Sequence, residues 1–152
     1  MSNMITGTSA ASTAVPTVAP VTSADSFLTT ANELLVGARV LAGNPDCAVT
    51  LVYVCAHVTE CLFKAFLSRM GETDAELQRT GHDLASLRGK AVAHGLGLDP
   101  PLPDWLRVLG ELHAKPYRLL YPKNLNGFVL PGPQPMLADL ETLDRLVRAV
   151  GS

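Results

Sequence analysis

Apolar side chains recur along most of this chain at the three- and four-residue spacing that gathers them on one helix face, and helix breakers divide the pattern into separate stretches. Phe27, Ala31, Leu34, Ala38 and Leu41 make the first stripe; Asp25 or Ser23 can cap its start, and Gly43-Asn44-Pro45 ends it. Pro45 and Asp46 then open a run that reaches Gly71 with no internal Gly or Pro. It is too long for a strand and apolar around most of its circumference, which predicts a central helix. GETDAELQRTG reads as a polar connection with one helical turn around Ala75 to Gln78, and Thr80 with Asp83 matches a capping box for the next helix, whose inward face is Leu84, Leu87 and Ala91. GLGLDPPLP is dense in breakers and predicts a loop. Asp104-Trp105 opens a fourth helix with Leu106, Leu109 and Leu112 inward until Pro116, and a last helix from about Gln134 to Val150 carries Leu140, Leu143, Val147 and Val150. Between these two, the Pro-Gly breaks and the Asn-Gly pair of YRLLYPKNLNGFVLPGPQP predict an ordered loop or small hairpin. No segment repeats at a fixed period. The pattern predicts an all-α, up-and-down bundle of about five helices over residues 23–152.

Composition sharpens this outline. Of the 152 residues, 47% are hydrophobic and 17% charged, so a bundle of this size has apolar surface left over, and a homodimer is expected to cover part of it. Twelve basic against fourteen acidic residues give a net charge of −2, which argues against a protein that holds nucleic acid mainly by neutralising phosphates. Residues 1–22 are rich in Ser, Thr, Ala and Pro and contain no charged side chain; they read as a disordered tail, without the basic start and leucine-rich core of a secretion signal. The longest apolar run, CAVTLVYVCA at 47–56, is too short to span a bilayer. The odd set Cys47, Cys55 and Cys61 lies in one apolar stretch as small hydrophobes, pointing to a reducing cytoplasm and a protein without a membrane anchor.

Chemistry concentrates on the long helix. Tyr53, His57, Glu60 and Lys64 stand at i, i+4, i+7 and i+11 and form a polar seam on an otherwise apolar cylinder. Periodicity alone favours a solvated face in which Glu60 and Lys64 pair; the other reading is a seam that lines a polar pocket or pairs with a neighbouring helix.

The residues Ala56-His57, Glu60, Lys64-Ala65 and Leu67 to Gly71, followed by Gly81-His82-Asp83-Leu84 and Leu87, resemble the HEPN domain, the higher-eukaryote and prokaryote nucleotide-binding helical bundle. The likeness covers residues 25 to 120 in outline and about 30 of them closely. It implies a bundle that often dimerises and whose members bind nucleotides beside a nucleotidyltransferase partner, cleave RNA without metal, or serve only as interaction modules. It also implies that His82 and Asp83 start a helix close to the seam, where Glu60 or Lys64 meets them. Ribonucleases of this family carry an Arg and, four to six residues on, a His, and two subunits bring their pairs together.

Arg88 with His94 has that spacing, and so does Arg107 with His113. Such a pair supplies a base for a 2′-hydroxyl and a cation for the developing phosphorane charge. Residues six apart on an unbroken helix nevertheless differ by about 240° around the axis and about 9 Å along it. Neither Arg is followed by the polar residue the family uses. The expectation is therefore a non-catalytic binding or interaction module for a nucleotide, RNA or a protein, with metal-independent endoribonuclease activity, of the kind a toxin in a toxin-antitoxin pair supplies, as the alternative.

Other chemistry is thinner. His57 and Cys61 are i,i+4 partners that suit zinc, but no close Cys or His pair completes a tetrahedral set, so neither a metal nor another cofactor is expected. No P-loop and no local nucleophile signature is present. In HAKPYRLLYPKN, Lys115, Arg118 and Lys123 interleave with Tyr117 and Tyr121, a composition that anchors a loop or grips a nucleotide by stacking and charge. The candidate ligand-binding set is thus Tyr53, His57, Glu60, Lys64, His82, Asp83, Tyr117, Arg118 and Tyr121.

Overall fold

The computed structural model describes residues 21–120 and 129–151. Among them there are six α-helices and no strand: α1 (Ser23–Leu41), α2 (Ala48–Arg69), α3 (Asp74–Thr80), α4 (Leu84–Ala93), α5 (Asp104–His113) and α6 (Pro133–Ala149), with a 3₁₀ turn at Pro45–Cys47 leading into α2. The additional helix relative to the pattern is α3. Its start is a complete capping box, in which Glu76 N–H donates to Thr73 Oγ1 and Thr73 N–H donates to the Glu76 carboxylate. The capping box expected at Thr80 and Asp83 is not formed. Thr80 is the last residue of α3, and Asp83 alone caps α4 by accepting from Ser86 N–H. At α1 the cap is Thr22, whose hydroxyl oxygen accepts from Asp25 N–H, in place of Asp25 or Ser23.

The core sits around α2. Thirteen of its residues are buried, because α1, α3, α4, α5 and α6 all pack against it and leave it no broad solvent face. Phe63, Phe66, Leu62 and Leu67 form its middle; Leu28, Ala31, Leu35 and Ala38 of α1, Leu84, Leu87 and Ala91 of α4, and Leu109 of α5 close over them. The α1 stripe is therefore centred one step away from the one read in the sequence, and Phe27, Leu34 and Leu41 flank it half-buried. On α6 the inward face is Met136, Leu140, Leu143 and Val147, whereas Val150 is exposed. Together with the 3₁₀ turn, α2 is long and apolar enough, by length and composition, to cross a membrane, and half of that window is buried inside the bundle.

The connections keep α4 and α5 against α2. Gly71 ends α2 at φ 98° and Gly95 ends α4 at φ 92°, a left-handed conformation that side chains resist; the N–H of Glu72 then reaches Leu67 C=O, and that of Leu96 reaches Ala91 C=O. Arg88 crosses from α4 to the next loop and donates to the carbonyls of Asp99 and Pro101, while Trp105 Nε1 donates to Asp139 at 2.7 Å and ties α5 to α6. Residues 1–20 of the expected tail, and Tyr121 with residues 122–128 of the expected loop or hairpin, lie outside the described residues.

Candidate functional site

The polar seam is not a solvated face. Glu60 is 7% exposed and Lys64 8%; His82 of the α3–α4 turn and His113 of α5 lie over Glu60, and Lys64 lies beside Phe27 of α1 and Leu77 of α3. A buried carboxylate must replace every hydrogen bond it loses to water. Glu60 does so with three partners: Oε1 accepts from Lys64 Nζ at 2.6 Å, and Oε2 faces His82 Nδ1 at 2.9 Å and His113 Nε2 at 2.6 Å. Lys64 comes from the same helix four residues on, His82 from the turn between α3 and α4, and His113 from the last position of α5. No buried side-chain nitrogen or oxygen among the described residues lacks a partner.

Electrostatics follow from this arrangement. Burial opposes ionisation of Glu60, but the hydrogen bonds from His113, Lys64 and His82 together outweigh it and bring its carboxyl down to about 2. His57 is pushed the other way: burial, and then the neighbouring His113, lower its pKa, which favours the neutral imidazole. The His57 ring stands edge-on to Tyr53, 4.7 Å between centroids, and to His113 at 4.9 Å, and it makes no hydrogen bond among the described residues. His82 meets His113 at 5.2 Å and Tyr117 at 5.8 Å in the same edge-on manner. A cavity of about 60 Å³ opens between Tyr53, His57, His82, His113 and Tyr117, with Leu119 at its rim.

Tyr117 takes its place by an uncommon backbone conformation. It is the one described residue other than glycine at positive φ, 56°, with its N–H on Ala114 C=O at 2.7 Å. Such a conformation persists in a tyrosine only where the surroundings hold it, and it is concentrated at binding sites. Lys115 and Arg118 beside it are exposed.

The candidate residues therefore divide. Tyr53, His57, Glu60, Lys64, His82 and Tyr117 come together; Arg118 stands on the exposed side of the same turn; Asp83 is spent on capping α4 and does not reach Glu60. His113 joins the group, which sequence spacing did not disclose because its partner Glu60 is 53 residues away. Its signal was local: it follows Leu106, Leu109 and Leu112 along the buried stripe of α5.

Neither Arg and His pair meets within the chain. Arg88 is engaged by loop carbonyls, whereas His94 caps the end of α4 and points to Glu72 at 3.8 Å. Arg107 pairs with Glu111 at 3.0 Å on the outer side of α5, while His113 is buried on Glu60. The thiols are free, and burial raises Cys55 to about 12 and Cys61 to about 11, so both stay protonated near neutrality. Cys61 does not join His57 in a ligand set; Glu60 and His113 do, with one donor atom from each of the three residues within 4.8 Å of the others.

No protein-family model matches this chain, and no curated protein or solved structure does.

Proposed function

We propose that the chain is a HEPN-like, non-catalytic binding module that takes a nucleotide, free or as a unit of single-stranded RNA, at the mouth of the Glu60 cavity. One observation carries the reading: Tyr117, at positive φ, sets its ring against His82 at the opening of a cavity walled by Tyr53, His57 and His113. The cavity is too small to swallow a base, so the base lies across the opening against the Tyr117 ring and the phosphate meets Lys115 or Arg118. A second copy of the chain would cover apolar surface such as Val36 and Val40 on the outer side of α1.

The endoribonuclease alternative draws on no comparable observation. Arg88 and Arg107 each already hold protein groups, and His113 would have to leave Glu60 to act as a base.

Calorimetric titration of the full chain with AMP, ATP and a short single-stranded RNA tests the reading. One-to-one binding that weakens roughly tenfold in Tyr117→Ala supports it, since one lost base stack is worth about 1–3 kcal/mol. No binding of any of the three, or binding indifferent to Tyr117→Ala, overturns it. RNA cleavage that persists in chelator and vanishes in His113→Ala with Arg107→Ala, or in His94→Ala with Arg88→Ala, would establish the alternative instead.

A further inference from the structure

We propose that His57, Glu60 and His113 form a site for one divalent first-row transition ion of the zinc class, with His82 and Lys64 holding the carboxylate from behind. This site is built from groups below the cavity mouth and stands whether or not a nucleotide binds above it.

His57 and Glu60 are three residues apart and share a helix face, and two ligands at that spacing on a bundle helix can reach one ion. The packing of α5 on α2 delivers the third, His113. The three donor atoms lie within 4.8 Å of one another. At tetrahedral angles, zinc-to-nitrogen and zinc-to-oxygen bonds of about 2.0–2.2 Å put ligand atoms about 3.3–3.6 Å apart, so side-chain rotations that close the widest pair by about 1 Å complete the set.

The donor atoms are also accessible to an ion. Both His57 ring nitrogens are without a hydrogen bond among the described residues, and Glu60 presents Oε2 on the same side. Oε2 carries two lone pairs, which now face His82 and His113. An ion takes the place of the His113 hydrogen on one of them; the His113 proton moves to Nδ1, and no net charge is lost from the ring. His82 keeps the other lone pair and Lys64 keeps Oε1, so the carboxylate is fixed in a one-oxygen mode, the outer-shell support that metal-binding side chains require. Two nitrogens and one oxygen suit zinc, cobalt(II) or iron(II) better than magnesium or calcium. The adjoining 60 Å³ leaves room for a water in an open fourth position.

The test is a titration of the metal-free full chain with Zn²⁺ by calorimetry and with Co²⁺ by visible absorption. The wild type should bind one ion per chain, and Co²⁺ should give the intense visible bands of a low-coordinate site. His57→Ala removes a ligand without breaking any hydrogen bond and should weaken binding by at least about 100-fold, beyond the 10–100-fold typical of losing an outer-shell group. Cys47→Ser and His94→Ala, which alter one of the two partly buried thiols and the histidine contact to Glu72, should leave the affinity unchanged. Absence of stoichiometric Zn²⁺ binding, retention of full affinity in His57→Ala, or its loss in Cys47→Ser or His94→Ala would each overturn the assignment.

Discussion

Two places in this molecule put a glutamate, a lysine and a histidine together, and they behave differently. At one, Glu60 meets Lys64, His82 and His113 at 2.6 to 2.9 Å, and the Glu60, Lys64 and His113 side chains are only 9%, 10% and 6% exposed. At the other, Glu72 meets Lys90 at 3.0 Å and His94 at 3.8 Å, with the Lys90 and His94 side chains 40% and 42% exposed. The glutamates are covered alike, 9% and 13% exposed, and His82 is as open as His94; the difference is that Lys64 and His113 are buried with Glu60 whereas Lys90 and His94 are not. Glu60 lies mid-helix on α2 under the α3–α4 turn and α5, whereas Glu72 lies just past the C-terminal end of α2, where water shares its partners. In water a pair of this kind is worth a few tenths of a kcal/mol, but among Glu60, Lys64 and His113 each member is an obligation, since removing one strands the others.

The largest expected effect is therefore on stability. Glu60→Gln leaves Lys64 buried without its counter-charge and should destabilise the protein by about 3 kcal/mol or more, read from the urea midpoint, while Glu72→Gln should change it by less than about 1 kcal/mol. Equal losses at the two sites would abolish the distinction.

Acid should expose the same contrast. The Glu60 carboxyl titrates at about 2 in the folded chain against about 4.5 ordinarily, so the ionised form is bound more tightly by the native state. Its stabilisation, roughly 3 kcal/mol by linkage, is complete above about pH 4.5 and lost as the pH falls toward 2. His57 acts in the same direction, because a lowered imidazole pKa means that the fold binds the neutral ring and loses stability as the pH drops below about 6.5. In metal-free protein, the stability of Glu60→Gln should fall less steeply between pH 4.5 and 2 than that of the wild type; parallel curves would contradict this.

A smaller effect is expected at the histidines. His113→Ala takes one hydrogen bond from a buried carboxylate and opens a hole in the core, and should cost about 2 kcal/mol; His94→Ala should stay within about 0.5 kcal/mol. Smallest of all is Lys90→Gln, whose few tenths of a kcal/mol should disappear in 1 M salt.

Much of the fold was legible because breakers are local. Gly43-Asn44-Pro45, Gly71, the prolines of GLGLDPPLP and Pro116 bracket helices whose apolar stripes need no partner to be seen. Helix α3 was compressed to a single turn although Thr73 and Glu76 carry a full capping-box signature; with seven residues and only Leu77 buried it has little apolar stripe to announce it. The site was legible in halves. The seam from Tyr53 to Lys64 follows from helical spacing, but whether it is wet or buried depends on which neighbour lies over it, and one helix does not carry that information. His113 was visible only as the end of an apolar stripe. The matching Arg and His spacings were legible too, yet the four side chains point to four separate environments.

Glu60 and His113 act as one buried unit, whereas Glu72 and His94 do not. A pair of double-mutant cycles measures this directly, with Glu60→Gln and His113→Ala in one and Glu72→Gln and His94→Ala in the other, all by equilibrium urea unfolding. The predicted coupling is about 1–3 kcal/mol between Glu60 and His113 and under about 0.3 kcal/mol between Glu72 and His94. Equal couplings at the two sites, or none at the first, would contradict it.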